Sequence, residues 1–399
     1  MKKIKMMMAA ALGVLVSCGS VKSGEEAIAA SRESKVVVAY VTSWSEVMPD
    51  PQYMTHINYA FGHVNESFNG VKIDNEERLR QIVDLRKQKP ELKVLLSIGG
   101  WGSGRFSEMA ANDEYRRAFA ADCDRVVKEF ALDGIDIDWE YPTSSMANIS
   151  SSPDDTENFT LLMQDIRAAI GNEKELTLAT VASARYIDFK AILPSVDFVN
   201  IMAYDMASAP KHHSALYPSG HSGDITSDGA VTAHLKAGVP PSKLVMGMPF
   251  YGRGGDGYPS FQDYNKVGNT DTQYTEKWDE VAQVPYLADK NDTLVFGFEN
   301  PRSLAIKCQY ILDKDLLGGM YWDYSGDNEQ GDLRRTVAEN LLGKPHKAKV
   351  LVLTERGGQH GGFTDAGLRW LAAEGAKGNF SITEINNAKP ITETYLSQF

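Results

Sequence analysis

The chain of 399 residues is 43% hydrophobic and 24% charged, a composition that excludes a wholly disordered protein and allows one large domain or two to three small ones. Its formal net charge of -12, from 53 acidic against 41 basic residues, excludes a nucleic acid partner, because a polyanion is held by Lys and Arg that displace its counterions. A neutral polymer or a small molecule fits better.

At the N-terminus, Lys2, Lys3 and Lys5 precede an apolar run over 6–16 that is too short to span a bilayer, which takes about 20 apolar residues. This predicts an export signal over 1–18. Its ending, LVSC, resembles a bacterial lipobox, with Cys18 as the lipidated first residue of the mature chain. The small, polar residues 19–34 read as a tether. From residue 35 onward, runs rich in Val, Ile and aromatics predict strands over 35–42, 56–64, 92–100, 133–142, 175–182, 196–204, 243–251 and 318–325. Amphipathic patterns predict helices over 76–89, 112–130, 154–170, 226–237 and 302–315. Strands alternating with helices in this number predict an α/β fold, a (β/α)8 TIM barrel over 35–343. A doubly wound open sheet is the alternative, since periodicity alone does not distinguish closure from openness. Cys123 and Cys308, each inside a helical pattern, are expected as free buried thiols.

The stretch DGIDIDWEYP (133–142) carries most of the chemical information. Side chains alternate along a strand, so Asp136, Asp138 and Glu140 share one face while Ile135, Ile137 and Trp139 share the other. The apolar set can meet the helices. The acidic set then points into the barrel, with Glu140 at the C-terminal end of its strand, where barrel enzymes carry their chemistry. Neighbouring negative charges raise a carboxyl pKa, so this row can keep a general acid protonated at neutral pH. Asp136 and Asp138 could hold one proton between them, with Asp138 turning to Glu140 as the reaction proceeds. Metal binding is the competing chemistry, but no His lies near the row, and carboxylates in line along one strand do not surround an ion.

The same stretch matches the DxxDxDxE signature of glycoside hydrolase family 18, the chitinase family, and its Trp-Glu-Tyr-Pro ending resembles the chitinase branch. SIGGW (97–101), MAYD (202–205), GMPFYGR (247–253) and GGMYWDYSGD (318–327) resemble the family's third, sixth, seventh and eighth strands, in order. The resemblance implies that Glu140 protonates the glycosidic oxygen and that Asp138, with Asp136 beside it in the catalytic row, orients the N-acetyl group whose oxygen attacks the anomeric carbon. It further implies that Tyr204 donates to that carbonyl oxygen, that Asp205 supports the site, with Met202 beside it among the substrate-binding residues, and that Trp322 forms the floor under the reacting sugar. Tyr40, Phe61, Trp101 and Tyr251 are candidate subsite walls and Arg253 a polar contact; aromatic faces suit the apolar C–H faces of sugars. The expected partner is a carbohydrate containing N-acetylglucosamine, with no cofactor and no metal. The membrane enters only through the anchor at Cys18, outside the cytoplasm, and a monomer is expected.

Other signals are weaker. GRGGDG (252–257) satisfies a dinucleotide-binding pattern, but Pro259 stands where a helix should begin, so it reads as a flexible loop. His212, His213 and His221 lack ligand-like spacing, which predicts a solvent-exposed loop after the sixth strand rather than a zinc site. Residues 252–300 form a short insertion after the seventh strand, reduced against the family's α+β wall, which predicts a shallow cleft acting on oligosaccharides. Residues 348–399 read as strand, Gly-rich loop, helix and strand, a partial βαβ segment resembling the start of a ThuA-like (trehalose utilisation) domain. Cleavage of N-glycans by an endo-β-N-acetylglucosaminidase, or binding of carbohydrate without catalysis, are the alternatives to a chitin-type hydrolase.

Overall fold

The computed structural model describes residues 35–255, 258–267 and 273–343, together with the strands Ala348–Leu353 and Phe380–Ile385. The expected leader with Cys18, the tether over 19–34 and the remainder of 348–399 lie outside the described residues. The chain runs through β1 (Val36–Thr42), β2 (His56–Val64), the short β3 (Val71–Ile73), α1 (Glu76–Val83) and β4 (Lys93–Gly99). It continues through α2 (Phe106–Ala111), α3 (Asp113–Glu129), β5 (Gly134–Asp138), α4 (Asp155–Ile170), β6 (Glu175–Val181), α5 (Phe189–Ile192), β7 (Phe198–Met202), α6 (Ser227–Lys236) and β8 (Leu244–Pro249). An excursion follows, made of β9 (Tyr251–Gly254), β10 (Gln262–Asp263), β11 (Thr275–Asp279), β12 (Val284–Ala288) and β13 (Leu294–Gly297), before α7 (Pro301–Asp313), β14 (Gly318–Trp322) and α8 (Asp332–Leu342). β15 (Ala348–Leu353) and β16 (Phe380–Ile385) pair in parallel.

The strands β1, β14, β8, β7, β6, β5, β4 and β2 follow one another in parallel, and pairing of β1 with β2 closes the circle. The fold is therefore a (β/α)8 TIM barrel, and the open sheet is ruled out. The eight barrel strands coincide with the eight stretches expected from the sequence. Helix ends are set by local chemistry. Asn112 accepts from the backbone of Glu114 and Tyr115 ahead of an acidic first turn, and Asn300 with Ser303 forms a capping box with Pro301 at the first helical position of α7.

Two cores result from the alternation along the strands. Ile135, Ile137 and Trp139 are buried in the layer between barrel and helices, where Trp139 stacks on Phe106 (5.3 Å, 14°) and meets Phe159 edge-on (6.0 Å, 60°). Burying three such side chains stabilises the fold by about 1.5–3 kcal/mol each, which offsets the cost of sending the intervening Asp136 and Asp138 inward. Inside the barrel, Val38, Tyr40, Ala60, Phe61, Phe198, Val245 and Met320 form a separate apolar cluster. Cys123 and Cys308 are buried free thiols, as expected.

Two expectations need correction. The stretch beginning at Gly252 is not a loop throughout, since β9 pairs with β13 and β10 in a five-stranded antiparallel sheet. Gly252 serves close packing there, because a Cβ would stand 2.4 Å from the Phe296 ring. The segment after β7 is not solvent-exposed in its middle: His212, His213, Ser214, Ala215 and Leu216 are buried, covered by the excursion. Burial pushes the His212 imidazole down to about 4, against the opposing pull of Asp279, so it stays neutral at physiological pH.

Candidate active site

Asp136 lies at the centre of a polar layer across the barrel. Its Oδ2 accepts from Tyr40 (2.9 Å) and Ser97 (2.8 Å), and its Oδ1 from Thr177 (2.6 Å) and Asn200 (3.3 Å). These donors come from β1, β4, β6 and β7, so one buried carboxylate ties together most of the barrel interior. Burial raises the Asp136 pKa, and the four hydrogen bonds work against that rise.

One layer up, Asp138 is also buried, and its Oδ1 has no hydrogen-bond partner among the described residues. Burial, and then the charges of Glu140 and Asp136, raise its pKa well above the ordinary carboxylate value. The donors to both oxygens of Asp136 favour its ionised form, whereas no such hydrogen bond opposes the rise at Asp138. Gly99 allows β4 and β5 to meet here: it has a φ of +133°, and a Cβ would sit 2.0 Å from the Asp138 carbonyl oxygen. Glu140 follows, partly buried at the mouth. Burial pushes its carboxyl up to about 7, the hydrogen bond from Tyr141 opposes that rise, and the charge of Asp205 adds to it.

Tyr204 lies beside this pair, its ring packed with Met202 into the barrel interior cluster and its hydroxyl 3.9 Å from the Met320 sulfur. Burial and the charges of Asp138 and Glu140 raise its pKa well above the ordinary phenol value, so it keeps its proton and remains a donor. Asp205 receives two parallel hydrogen bonds from Arg253 (2.7 Å each), and His213 Nδ1 stands 3.5 Å from its Oδ1. Although burial raises the Asp205 pKa, Arg253 and then His213 hold it well below the usual range, leaving a fixed negative charge near Glu140. Arg253 is therefore committed to Asp205, where the sequence pointed to a contact with ligand.

The aromatic candidates divide. Trp322 stacks on Phe61 (5.5 Å, 21°) and tilts over Tyr40 (5.6 Å). Tyr40 is not a wall residue: it lies in mid-strand, one layer below the mouth, with its hydroxyl on Asp136. Tyr251 is buried between Phe261 (4.7 Å, stacked) and Tyr204 (6.0 Å, edge-on). Trp101 projects outward at the end of β4, 62% exposed. Trp44, 64% exposed just beyond β1, approaches both Phe61 (6.2 Å) and Trp322 (6.5 Å). The sequence reading missed Trp44, although its place after a strand end is the signal that singled out Trp101. It also missed Asp155, which holds the loop after Glu140 by accepting from Ser107 and from the backbone of Thr143 and Ser152. Among the described residues, no cluster of His, Cys, Asp and Glu could hold a metal ion.

Comparison with known proteins agrees with this geometry. Residues 36–327 match the profile of the family described as Glycosyl hydrolases family 18. The chain is 31% identical over 350 residues to Chitotriosidase-1 of Mus musculus, covering 74% of each chain. It is 29% identical over 413 residues to Chitinase A1 of Niallia circulans, covering 77% of this chain and 58% of that longer protein. Among solved structures, a family 18 N-acetylglucosaminidase from Paenibacillus barengoltzii superposes with a TM-score of 0.71 at 32% identity, covering 77% of this chain and all (100%) of that one.

Proposed function

Because the chain belongs to glycosyl hydrolase family 18 and is a chitinase-like glycosidase, we propose that it cleaves β-1,4 bonds between N-acetylglucosamine units, using the substrate's own acetamido group as nucleophile. That route is the known exception of this family to the scheme of two catalytic carboxylates. The observation that carries the reading is the buried, partnerless Oδ1 of Asp138 beneath the mouth. A buried polar atom without a partner is costly, and an acetamido N–H is the donor that would satisfy it. Asp138 then aligns the acetamido carbonyl for attack, and Tyr204 donates to the same carbonyl oxygen. Glu140 delivers its proton to the leaving oxygen and afterwards withdraws one from water. Trp322 supplies the floor against which the reacting ring lies.

Product analysis by mass spectrometry tests this reading, with N-acetylglucosamine oligomers and an N-glycosylated protein as substrates. Shortened oligomers support it. Release of intact glycans moves the assignment to an endo-β-N-acetylglucosaminidase, and binding without cleavage to a carbohydrate-binding barrel.

The acid must be protonated to work, so raising the pH through the Glu140 value removes activity. We expect kcat/KM to fall on the alkaline side with a midpoint near 7, about tenfold per pH unit beyond it. Asp205 stays ionised throughout that range. An alkaline midpoint above 9 would remove Glu140 from the role.

The leader pattern at Lys2, Lys3, Lys5 and 6–16 supports export and lipidation at Cys18. Cys18→Ser is expected to move the protein from the membrane fraction to the soluble fraction, and an unchanged distribution would remove the anchor. The parallel pairing of β15 with β16 supports reading 348–399 as the beginning of a ThuA-like α/β sheet, to which we assign no activity.

A further inference from the structure

His63, near the end of β2, has its two ring nitrogens engaged by side chains from two different loops. Nδ1 stands 2.8 Å from the Ser103 hydroxyl, in the loop after β4, and Nε2 stands 3.0 Å from Asp74 Oδ2, directly after β3. The mechanism proposed above uses none of the three. We propose that His63 is a positioning residue, which together with Asp74 clasps Ser103 and so fixes the turn that presents Trp101 at the barrel mouth. The part Trp101 plays against sugar rests on the function proposed above; the clasp itself does not.

The turn is the first argument. The Ser103 N–H donates to the Gly100 carbonyl (2.9 Å), which closes a β-turn with Trp101 and Gly102 at its tip. Gly102 has a φ of +81°, as the third position of a type II turn requires. One end of the turn is pinned to the strand of the acidic row, since the Gly100 N–H donates to the Asp138 carbonyl (2.9 Å). The other end is held through the Ser103 side chain to His63. Trp101 is 62% exposed, so packing supports it little and its direction follows from how the turn is held.

The rigidity of the clasp is the second argument. The Asp74 N–H donates to the Phe61 carbonyl (3.1 Å), and the Tyr59 hydroxyl donates to the carbonyls of Asp74 (3.0 Å) and Asn75 (2.8 Å). Asp74 is thereby fixed against β2. A carboxylate only accepts, so Nε2 directs its proton to Asp74, and a neutral ring leaves Nδ1 to accept from the Ser103 hydroxyl. Ser, His and Asp also stand in the order of an acyl-transfer triad, but the Ser103 N–H that would face an oxyanion closes the turn instead.

Hydrogen exchange tests the clasp without any substrate. His63→Ala should raise exchange across 100–104 while β4 and β5 keep their native protection, and unchanged exchange in the turn would overturn the clasp. A mutant cycle on cleavage of the N-acetylglucosamine hexamer tests its consequence. We expect His63→Ala to raise KM about five- to tenfold with kcat within about twofold, the worth of about one hydrogen bond. His63→Asn, whose amide stands near the place of Nδ1 and can still meet Ser103, should lose less. In a Trp101→Ala background His63→Ala should have no further effect, because a role carried by Trp101 vanishes with it. Additive losses, or a fall in kcat at unchanged KM, would overturn the positioning role. If the wild type neither binds nor cuts the hexamer while exchange still rises in His63→Ala, the proposed function fails and the clasp stands.

Discussion

Replacing Glu140 by Gln is expected to lower kcat on N-acetylglucosamine oligomers by about 10²- to 10⁴-fold, the usual worth of a general acid, with oligomer affinity nearly unchanged. Gln keeps the shape and the hydrogen-bonding reach of the side chain, so Asp138, Tyr204 and Trp322 retain their places. What it lacks is a proton acidic enough to transfer. In the native chain burial and the fixed charge of Asp205 keep that proton on Glu140 up to about pH 7, against the pull of Tyr141. The alkaline fall in kcat/KM should therefore disappear in the variant along with the rate. Single-turnover kinetics beside calorimetry separates the two effects. Near-native turnover in Glu140→Gln would remove the residue from catalysis, and a proportionate loss of affinity would make it a binding residue instead.

Much of this site could be read along one strand, because a period of two sorts acids from apolar residues within a few consecutive positions. Asp136, Asp138 and Glu140 were legible for that reason, and Ile135, Ile137 and Trp139 were legible as their complement. The partners of Asp136 were not. Ser97, Thr177 and Asn200 are single polar residues inside apolar strands, separated from Asp136 by 39, 41 and 64 positions, and only closure of the barrel brings them to one carboxylate. Tyr40 was misplaced for the same reason: an aromatic residue near a strand end looks alike in sequence whether it lies at the mouth or one layer below. The excursion after β8 was hardest to read. Its strands are short, and Gly252 looks like a loop residue until Phe296 is placed against it. The burial of His212 and His213 likewise depends on that excursion folding over them.

The second large effect concerns how the excursion is held. Glu299, two residues beyond β13, and Lys307, on α7, form an ion pair with 0% of either side chain exposed, and the Ser214 hydroxyl donates to Glu299 (2.6 Å) while Lys307 donates to the Ser214 carbonyl (2.6 Å). Three segments meet at this knot: the excursion, the helix leading to β14, and the loop that also carries Asp205 and His213. Lys307→Met removes the cation and leaves a buried carboxylate with Ser214 alone. We expect a stability loss of about 3–5 kcal/mol, read from the urea midpoint at constant slope. The double variant Glu299→Leu with Lys307→Met should recover most of that loss, because an apolar pair of similar volume escapes the desolvation penalty of two buried ions. The comparison separates two roles. If the knot serves stability alone, the double variant regains both folding and activity. If its hydrogen bonds also fix the backbone at Ser214, and through it Asp205 beside Glu140, stability returns while the alkaline midpoint of kcat/KM remains displaced. A single variant as stable as the wild type would mean that the pair contributes nothing to holding the excursion.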